Sequence, residues 1–86
     1  MEESKPSLGV FIDEINGEVI IAEVLEDSPA EKANLKVNDR IVKIDGYNIN
    51  SFDDLANKIR AAGKNTKLLV TYERNGKSKK AEVSLQ

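Results

Sequence analysis

The chain has 86 residues, and its 13 Lys and Arg against 15 Asp and Glu give a formal net charge of −2. A chain of this length supports one hydrophobic core, so we expect a single domain. Hydrophobic residues make up 40% and charged residues 33%, which is typical of a globular protein and excludes a disordered or fibrous chain. No apolar run approaches the roughly 18 residues that a membrane-spanning helix needs, so we expect no direct membrane insertion. The acidic start does not resemble a signal peptide, and we expect any targeting segment to lie outside this sequence.

The composition also excludes several kinds of chemistry. The sequence has no Cys and no His. Disulfides, thiolate catalysis, serine-type triads and the usual zinc sites are therefore excluded, and we expect no enzyme, no metal and no cofactor. The mildly negative charge argues against nucleic acid as a partner, because binding phosphates requires many Lys and Arg.

The first part of the chain predicts a leader and then a hairpin. Residues 1–6 are polar and predict a flexible leader, with the domain spanning residues 7–86. The run 8–15 is extended in character, and Asn16-Gly17 supplies the two positive-φ residues of a tight type I′ turn. The run 19–25 is β-branched on both faces, which predicts a strand covered on both sides.

Two capping patterns predict two helices. Ser28-Pro29-Ala30-Glu31 combines a Ser N-cap, Pro at the first helical position and Glu at the third. This short helix should stop by Asn34, which tolerates the left-handed conformation. Ser51 repeats the pattern before a second helix over residues 52–62, which should end at Gly63.

The remaining segments predict strands. The run 41–44 reads as a strand followed by an Asp45-Gly46 turn, and residues 67–73 and 79–85 alternate in polarity around Asn75-Gly76. Strands and helices joined by short connections predict an α+β fold, with mostly antiparallel strands forming a small, partly open barrel or sandwich capped by two helices.

Several of these segments together resemble the PDZ domain family. They are Ser-Leu-Gly-Val at 7–10, Asp-Ser-Pro-Ala-Glu-Lys-Ala-Asn-Leu at 27–35, Asn-Asp-Arg-Ile-Val-Lys-Ile-Asp-Gly at 38–46, and the capped helix from Ser51. The resemblance covers roughly residues 7–85. It is closer to the bacterial branch attached to envelope proteases, in which a C-terminal strand replaces the usual first one. The first stretch departs from the family's Gly-Leu-Gly-Phe, although its second glycine is kept.

The resemblance implies peptide recognition. In the family, backbone N–H groups of the first stretch converge on a peptide's terminal carboxylate, which here implies a carboxylate loop of Ser7, Leu8, Gly9 and Val10. The peptide lies as an added strand between the Val10–Ile15 strand and the helix from Phe52. The expected partners are therefore C-terminal or extended peptide segments of other proteins. The parent protein is expected in a bacterial envelope or associated with a membrane.

Matching positions imply the side chains that select the ligand. Ile12, Ala56 and Ile59, together with Leu8 and Val10 of the loop, are implied to line the pocket for the ligand's last side chain. Phe52 falls where the family meets the third residue from the ligand's end, so we expect an apolar preference there.

Each of these residues also has a purely structural interpretation. Ile12 and Ile59 fit any α+β core, Gly9 fits a turn before a strand, and Phe52 fits a half-exposed packing residue. The alternative function is a non-binding structural or regulatory PDZ-like domain that packs against other domains of a larger protease.

Charged residues elsewhere in the sequence are better explained by their structural positions than by a binding or catalytic site. Asp53-Asp54 lies in the first turn of a helix, where the dipole favours acidic groups. Arg74, Lys77, Lys79 and Lys80 crowd one hairpin end and predict a solvated tip that protects an edge strand.

Overall fold

The computed structural model describes residues 8–63 and 66–85, so the predicted leader and Ser7 lie outside the described residues. In chain order the elements are β1 (Val10–Ile15), β2 (Glu18–Val24), α1 (Pro29–Lys32), β3 (Arg40–Ile44), β4 (Tyr47–Asn48), α2 (Phe52–Ala62), β5 (Lys67–Arg74) and β6 (Lys77–Ser84). Among these residues no helix has the length and apolar character needed to cross a membrane.

The strands form one antiparallel sheet. Its order is β1-β2-β3-β5-β6, and the two-residue β4, which the sequence did not predict, pairs with β3. Every pairing between strands of residues 8–63 and 66–85 is antiparallel, and the sheet that they form is not closed, so β1 and β6 are its edges. The α+β prediction with two helices is confirmed.

The tight turns form where the sequence predicts them. In Asn16-Gly17 and Asn75-Gly76 both residues have positive φ, at 50° and 79° and at 54° and 78°. Asp45-Gly46 follows the same pattern, with φ values of 52° and 84°. These are the type I′ dihedrals that match the twist of antiparallel hairpins.

Both predicted helix caps are present. The Ser28 Oγ accepts the Glu31 N–H at 3.2 Å, and the Glu31 carboxylate accepts the Asp27 N–H at 2.7 Å. The Ser51 Oγ accepts the Asp54 N–H at 3.1 Å. Each cap satisfies an amide that has no partner inside its helix.

The hydrophobic core lies on one face of the sheet. On β2, Val19 and Ile21 are fully buried, whereas Ile20 and Val24 are half-buried and Ala22 is exposed. The prediction that β2 is covered on both sides is therefore wrong. β-Branched residues favour strands whether or not both faces are buried. Their presence on both faces of β2 therefore indicated a strand but not the burial of both faces.

A buried ion pair joins the end of β5 to the turn before β3. Asp39 is 1% exposed, and Arg74 donates to both of its carboxylate oxygens, at 2.8 Å and 2.6 Å. Arg74 also donates to the Asn34 carbonyl at 2.9 Å. The prediction that Arg74 belongs to a solvated tip is wrong, although the lysines beyond it on β6 are exposed.

Opposing effects act on the pKa of Asp39. Burial raises it, but the hydrogen bonds from Arg74, the Lys36 N–H at 2.9 Å and the nearby positive charges together hold the pKa of Asp39 below its ordinary value of 3.8. The Asp39 carboxylate is therefore ionised at neutral pH.

The backbone before β1 packs directly on the N-cap of α1. Gly9 has a φ of 82°, and a Cβ built on it would lie 2.2 Å from the Cβ of Ser28. No side chain fits at that distance. Gly9 is therefore required both by its conformation and by this close approach.

Replacing Arg74 tests the buried pair through pH. A group with a depressed native pKa stabilises the fold above its unfolded pKa, and that stability is lost as the pH falls through the native pKa. Arg74→Leu leaves Asp39 buried and unpaired, so we expect the unmodified domain to be the more stable at pH 7. The difference should shrink as the pH falls below the ordinary Asp pKa of 3.8 and on through the lower native pKa of Asp39.

Urea unfolding at pH 7, 4 and 2 measures this difference. Lys77→Leu, on the same hairpin but exposed, is the matched control and should change stability by less than about 0.5 kcal/mol at each pH. A difference between Arg74→Leu and the unmodified domain that stays constant from pH 7 to pH 2 contradicts this role of Asp39.

Replacing Gly9 tests the contact with Ser28. Gly9→Ala should cost about 1 kcal/mol for the left-handed backbone and a further 1–3 kcal/mol for the overlap with Ser28. Gly17→Ala is the matched control, because Gly17 has a φ of 79° and nothing within 4 Å of the added Cβ. Denaturant unfolding should therefore show a clearly larger loss at Gly9, and equal losses at the two positions would refute the packing argument.

Candidate functional site

The loop before β1 is fixed by two backbone hydrogen bonds. The Ala30 N–H donates to the Leu8 carbonyl at 3.0 Å, and the Leu25 N–H donates to the Gly9 carbonyl at 2.9 Å. Both carbonyls therefore point towards α1 and the end of β2.

This arrangement determines where the loop's amides point. In a trans peptide the N–H and C=O point in opposite directions, and the described residues contain no cis peptide. The Val10 N–H therefore points away from Leu25, towards the edge of β1 that β2 does not occupy. The Gly9 N–H likewise points away from Ala30. The Val10 N–H of the loop thus lies on the side opposite β2.

The side chains of β1 alternate between two environments. Val10 and Ile12 are half-buried and pack against the core, whereas Phe11 and Asp13 are exposed on the other face. A bulge in the β1–β2 pairing skips Ala22 on β2, so β1 itself keeps a regular alternation. The inner face of β1 therefore begins with apolar side chains next to the loop.

Helix α2 lies opposite this face of β1. Phe52, Ala56 and Ile59 recur at spacings of four and three, which places them along one stripe of the helix. Leu55 and Ile59 are buried in the core, and the helix ends at Gly63, as predicted. We call the space between β1 and α2 the β1–α2 groove.

The implied ligand-contacting residues differ in exposure. Leu8 is 2% and Ile59 is 8% exposed, so both belong to the core. Ala56 is half-buried, and Phe52 is 55% exposed. The described members of the predicted set thus lie on the loop before β1, on β1 and on α2, and their contact with a ligand stays a prediction.

A polar contact that the sequence did not predict crosses the groove. The Glu14 Oε1 accepts the Phe52 N–H at 2.9 Å. The two residues are 38 positions apart in the chain, so no local pattern could have indicated the contact. We call this hydrogen bond the Glu14–Phe52 strap.

The arrangement is suited to binding an extended chain. The outer edge of β1 can pair with another strand, the loop offers amides at one end, and the side chains between them are mainly apolar.

Known proteins resemble this chain in sequence or in fold. A family model described as "PDZ domain" matches residues 6–85. A Haemophilus influenzae protein named "Probable periplasmic serine protease do/HhoA-like" is 41% identical over 66 residues, which cover 77% of this chain and 14% of that protein. The chain thus spans about one seventh of that relative.

Two solved structures have the same fold at low sequence identity. "HtrA-type protease AlgW with decapeptide" has a TM-score of 0.87 at 19% identity, covering 94% of this chain and 29% of that one. The HtrA3 PDZ domain bound to the phage-derived ligand FGRWV has a TM-score of 0.83 at 16% identity, covering 95% of this chain and 86% of that domain.

The family match extends over nearly the whole chain, and the Haemophilus relative that is 41% identical carries the name of a probable periplasmic serine protease. The chain belongs to the PDZ domain family.

Proposed function

We propose that this domain binds an extended peptide, preferably one with a free C-terminus and apolar end residues, as a strand added to β1 in the β1–α2 groove. The observation that carries the proposal is the direction of the loop's backbone. With the carbonyls of Leu8 and Gly9 held by Ala30 and Leu25, the Val10 N–H faces the side of β1 on which a ligand can pair.

Peptide complexes of similar folds support this proposal. The AlgW structure contains a decapeptide, and the ligand of the HtrA3 domain ends in Val. PDZ domains are non-catalytic modules, so this domain does not itself carry protease activity. We infer that its parent is a protease of the bacterial envelope, by analogy with the periplasmic name of the Haemophilus relative.

The loop and groove have separate roles in this proposal. Amides of Leu8, Gly9 and Val10, with Ser7 outside the described residues, receive the terminal carboxylate. Ladder hydrogen bonds to β1 carry no sequence information, so selectivity comes from the pockets. An added strand of about four to six residues buries less than the roughly 1,200 Å² of stable complexes, and we expect a dissociation constant on the order of 1–100 μM.

Blocking the ligand's C-terminus tests the function. An octapeptide ending in Leu-Ala-Val should bind at least about tenfold more tightly than its C-terminal amide, because only the carboxylate can accept several charge-assisted hydrogen bonds from the loop. Isothermal titration calorimetry on the isolated domain measures both. No binding by either peptide refutes the proposal and favours the alternative, a domain that packs against other parts of a protease.

Replacing Ala56 tests the terminal pocket. Ala56→Leu adds bulk beside the place proposed for the ligand's last side chain, so binding of the octapeptide should weaken about tenfold. The stability cost should be about 1 kcal/mol or less, because Ala56 is only half-buried and its surroundings can yield. Calorimetry beside urea unfolding separates the two effects. Unchanged affinity in a variant that still unfolds cooperatively means that the ligand does not use this pocket.

Replacing Phe52 tests the preference at the third residue from the end. The exposed Phe52 ring offers apolar contact but no hydrogen bond, so peptides with Leu at that position should bind better than those with Ser or Thr. Phe52→His should shift the preference towards Ser and Thr, since imidazole can hydrogen-bond a hydroxyl. A peptide array measures both proteins, and a preference for Ser or Thr by the unmodified domain contradicts this assignment.

A further inference from the structure

The Glu14–Phe52 strap joins the two walls of the β1–α2 groove. Glu14 comes from β1, and Phe52 is the first residue of α2. The amide of a first helical residue has no partner within its helix, so a side chain from elsewhere can take it. The Glu14 Oε1 does so at 2.9 Å, while the Ser51 side chain accepts a different amide, that of Asp54.

The register of β1 places the strap relative to a bound peptide. Residues Val10, Ile12 and Glu14 share the inner face of β1 because side chains alternate along a strand. In an antiparallel ligand whose last residue faces Val10, the third from the end faces Ile12 and the fifth faces Glu14. The distance from Val10 to Glu14 along the strand is about 13 Å. A tripeptide therefore ends before the strap, whereas an octapeptide passes it.

We propose that Glu14 is a specificity-determining residue for ligand length: the Glu14–Phe52 strap closes the groove at the end opposite Gly9, and only ligands longer than about four residues must displace it. The inference rests on the proposed function, since it concerns the same groove. It adds a residue that acts on the length of the ligand rather than on its last side chains.

The exposure of both partners limits the strength of this selection. Glu14 is exposed, and its hydrogen bond to Phe52 is exposed as well, so water can solvate both groups once the strap opens. A long ligand that opens the strap therefore loses, in binding free energy, the equivalent of one exposed hydrogen bond to a charged group. The strap therefore weakens the binding of long ligands without excluding them.

Two peptides and three variants test this inference. The peptides are acetyl-Leu-Ala-Val and the same tripeptide preceded by the uncharged extension Ser-Ala-Ser-Ala-Ser, each with a free C-terminus. Glu14→Ala removes the strap. Asp13→Ala is the matched control, because it removes the same charge from the adjacent residue, whose side chain is on the outer face of β1.

We expect Glu14→Ala to tighten binding of the octapeptide by about three- to tenfold, the equivalent of one exposed hydrogen bond, and to leave the tripeptide within about twofold. Asp13→Ala should leave the ratio of the two dissociation constants unchanged. Glu14→Gln keeps an oxygen acceptor and should fall closer to the unmodified domain than Glu14→Ala does. NMR titration of each protein gives the dissociation constants, and thermal unfolding checks that each variant is folded.

The experiment distinguishes a failure of this inference from a failure of the proposed function. If both peptides bind but Glu14→Ala changes their affinities equally or not at all, the inference is wrong and the peptide-binding function stands. The same holds if Asp13→Ala changes the ratio as much as Glu14→Ala does, because the effect is then one of charge alone. If neither peptide binds the unmodified domain or Glu14→Ala, the proposed function fails and takes the inference with it.

Discussion

The close approach of the Gly9 backbone to Ser28 is the constraint on which the site depends. A Cβ at Gly9 would lie 2.2 Å from the Cβ of Ser28, so the chain can pass there only without a side chain. This proximity allows Ala30 to donate to the Leu8 carbonyl. Because the loop's carbonyls are held on that side, its amides face the other way. The same Ser28 caps α1, so one residue links the geometry of the loop to the helix on which it packs.

The two edges of the sheet differ in chemistry, and the difference bears on function. The edge strand β6 carries the exposed Lys77, Lys79 and Lys80, which discourage pairing with another strand. The edge strand β1 has no lysine and faces a helix across an apolar groove. An open edge is an aggregation hazard unless it is covered or its access is restricted. Helix α2 and the Glu14–Phe52 strap lie beside β1, and in our proposal they restrict access to this edge to a narrow extended peptide.

Contacts that depend on neighbours in the sequence were predictable, and contacts between distant segments were not. The Asn16-Gly17 turn and the Ser51 cap follow from dihedral preferences and a hydrogen bond three residues away, so sequence alone indicates them. Arg74 is 35 positions from Asp39, and its position next to lysines suggested an exposed tip instead. The family resemblance implied the residues of the loop and groove. It carried no information on Glu14, whose partner is supplied by this particular packing of α2 against β1.

The residues that we propose to line the groove include members of the hydrophobic core, so in this proposal peptide binding and folding are physically coupled. Leu8 and Ile59 are members of the core cluster, and truncating either removes buried apolar contacts as well as, in our proposal, a surface for the ligand. A ligand that binds only the native state adds stability of RT ln(1 + [L]/Kd), which is about 1.4 kcal/mol at ten times the dissociation constant. Lost binding in a Leu8 or Ile59 variant is therefore ambiguous, because a destabilised groove and a missing contact have the same effect. The half-buried Ala56 and the exposed Phe52 are the positions at which ligand recognition can be separated from the stability of the fold.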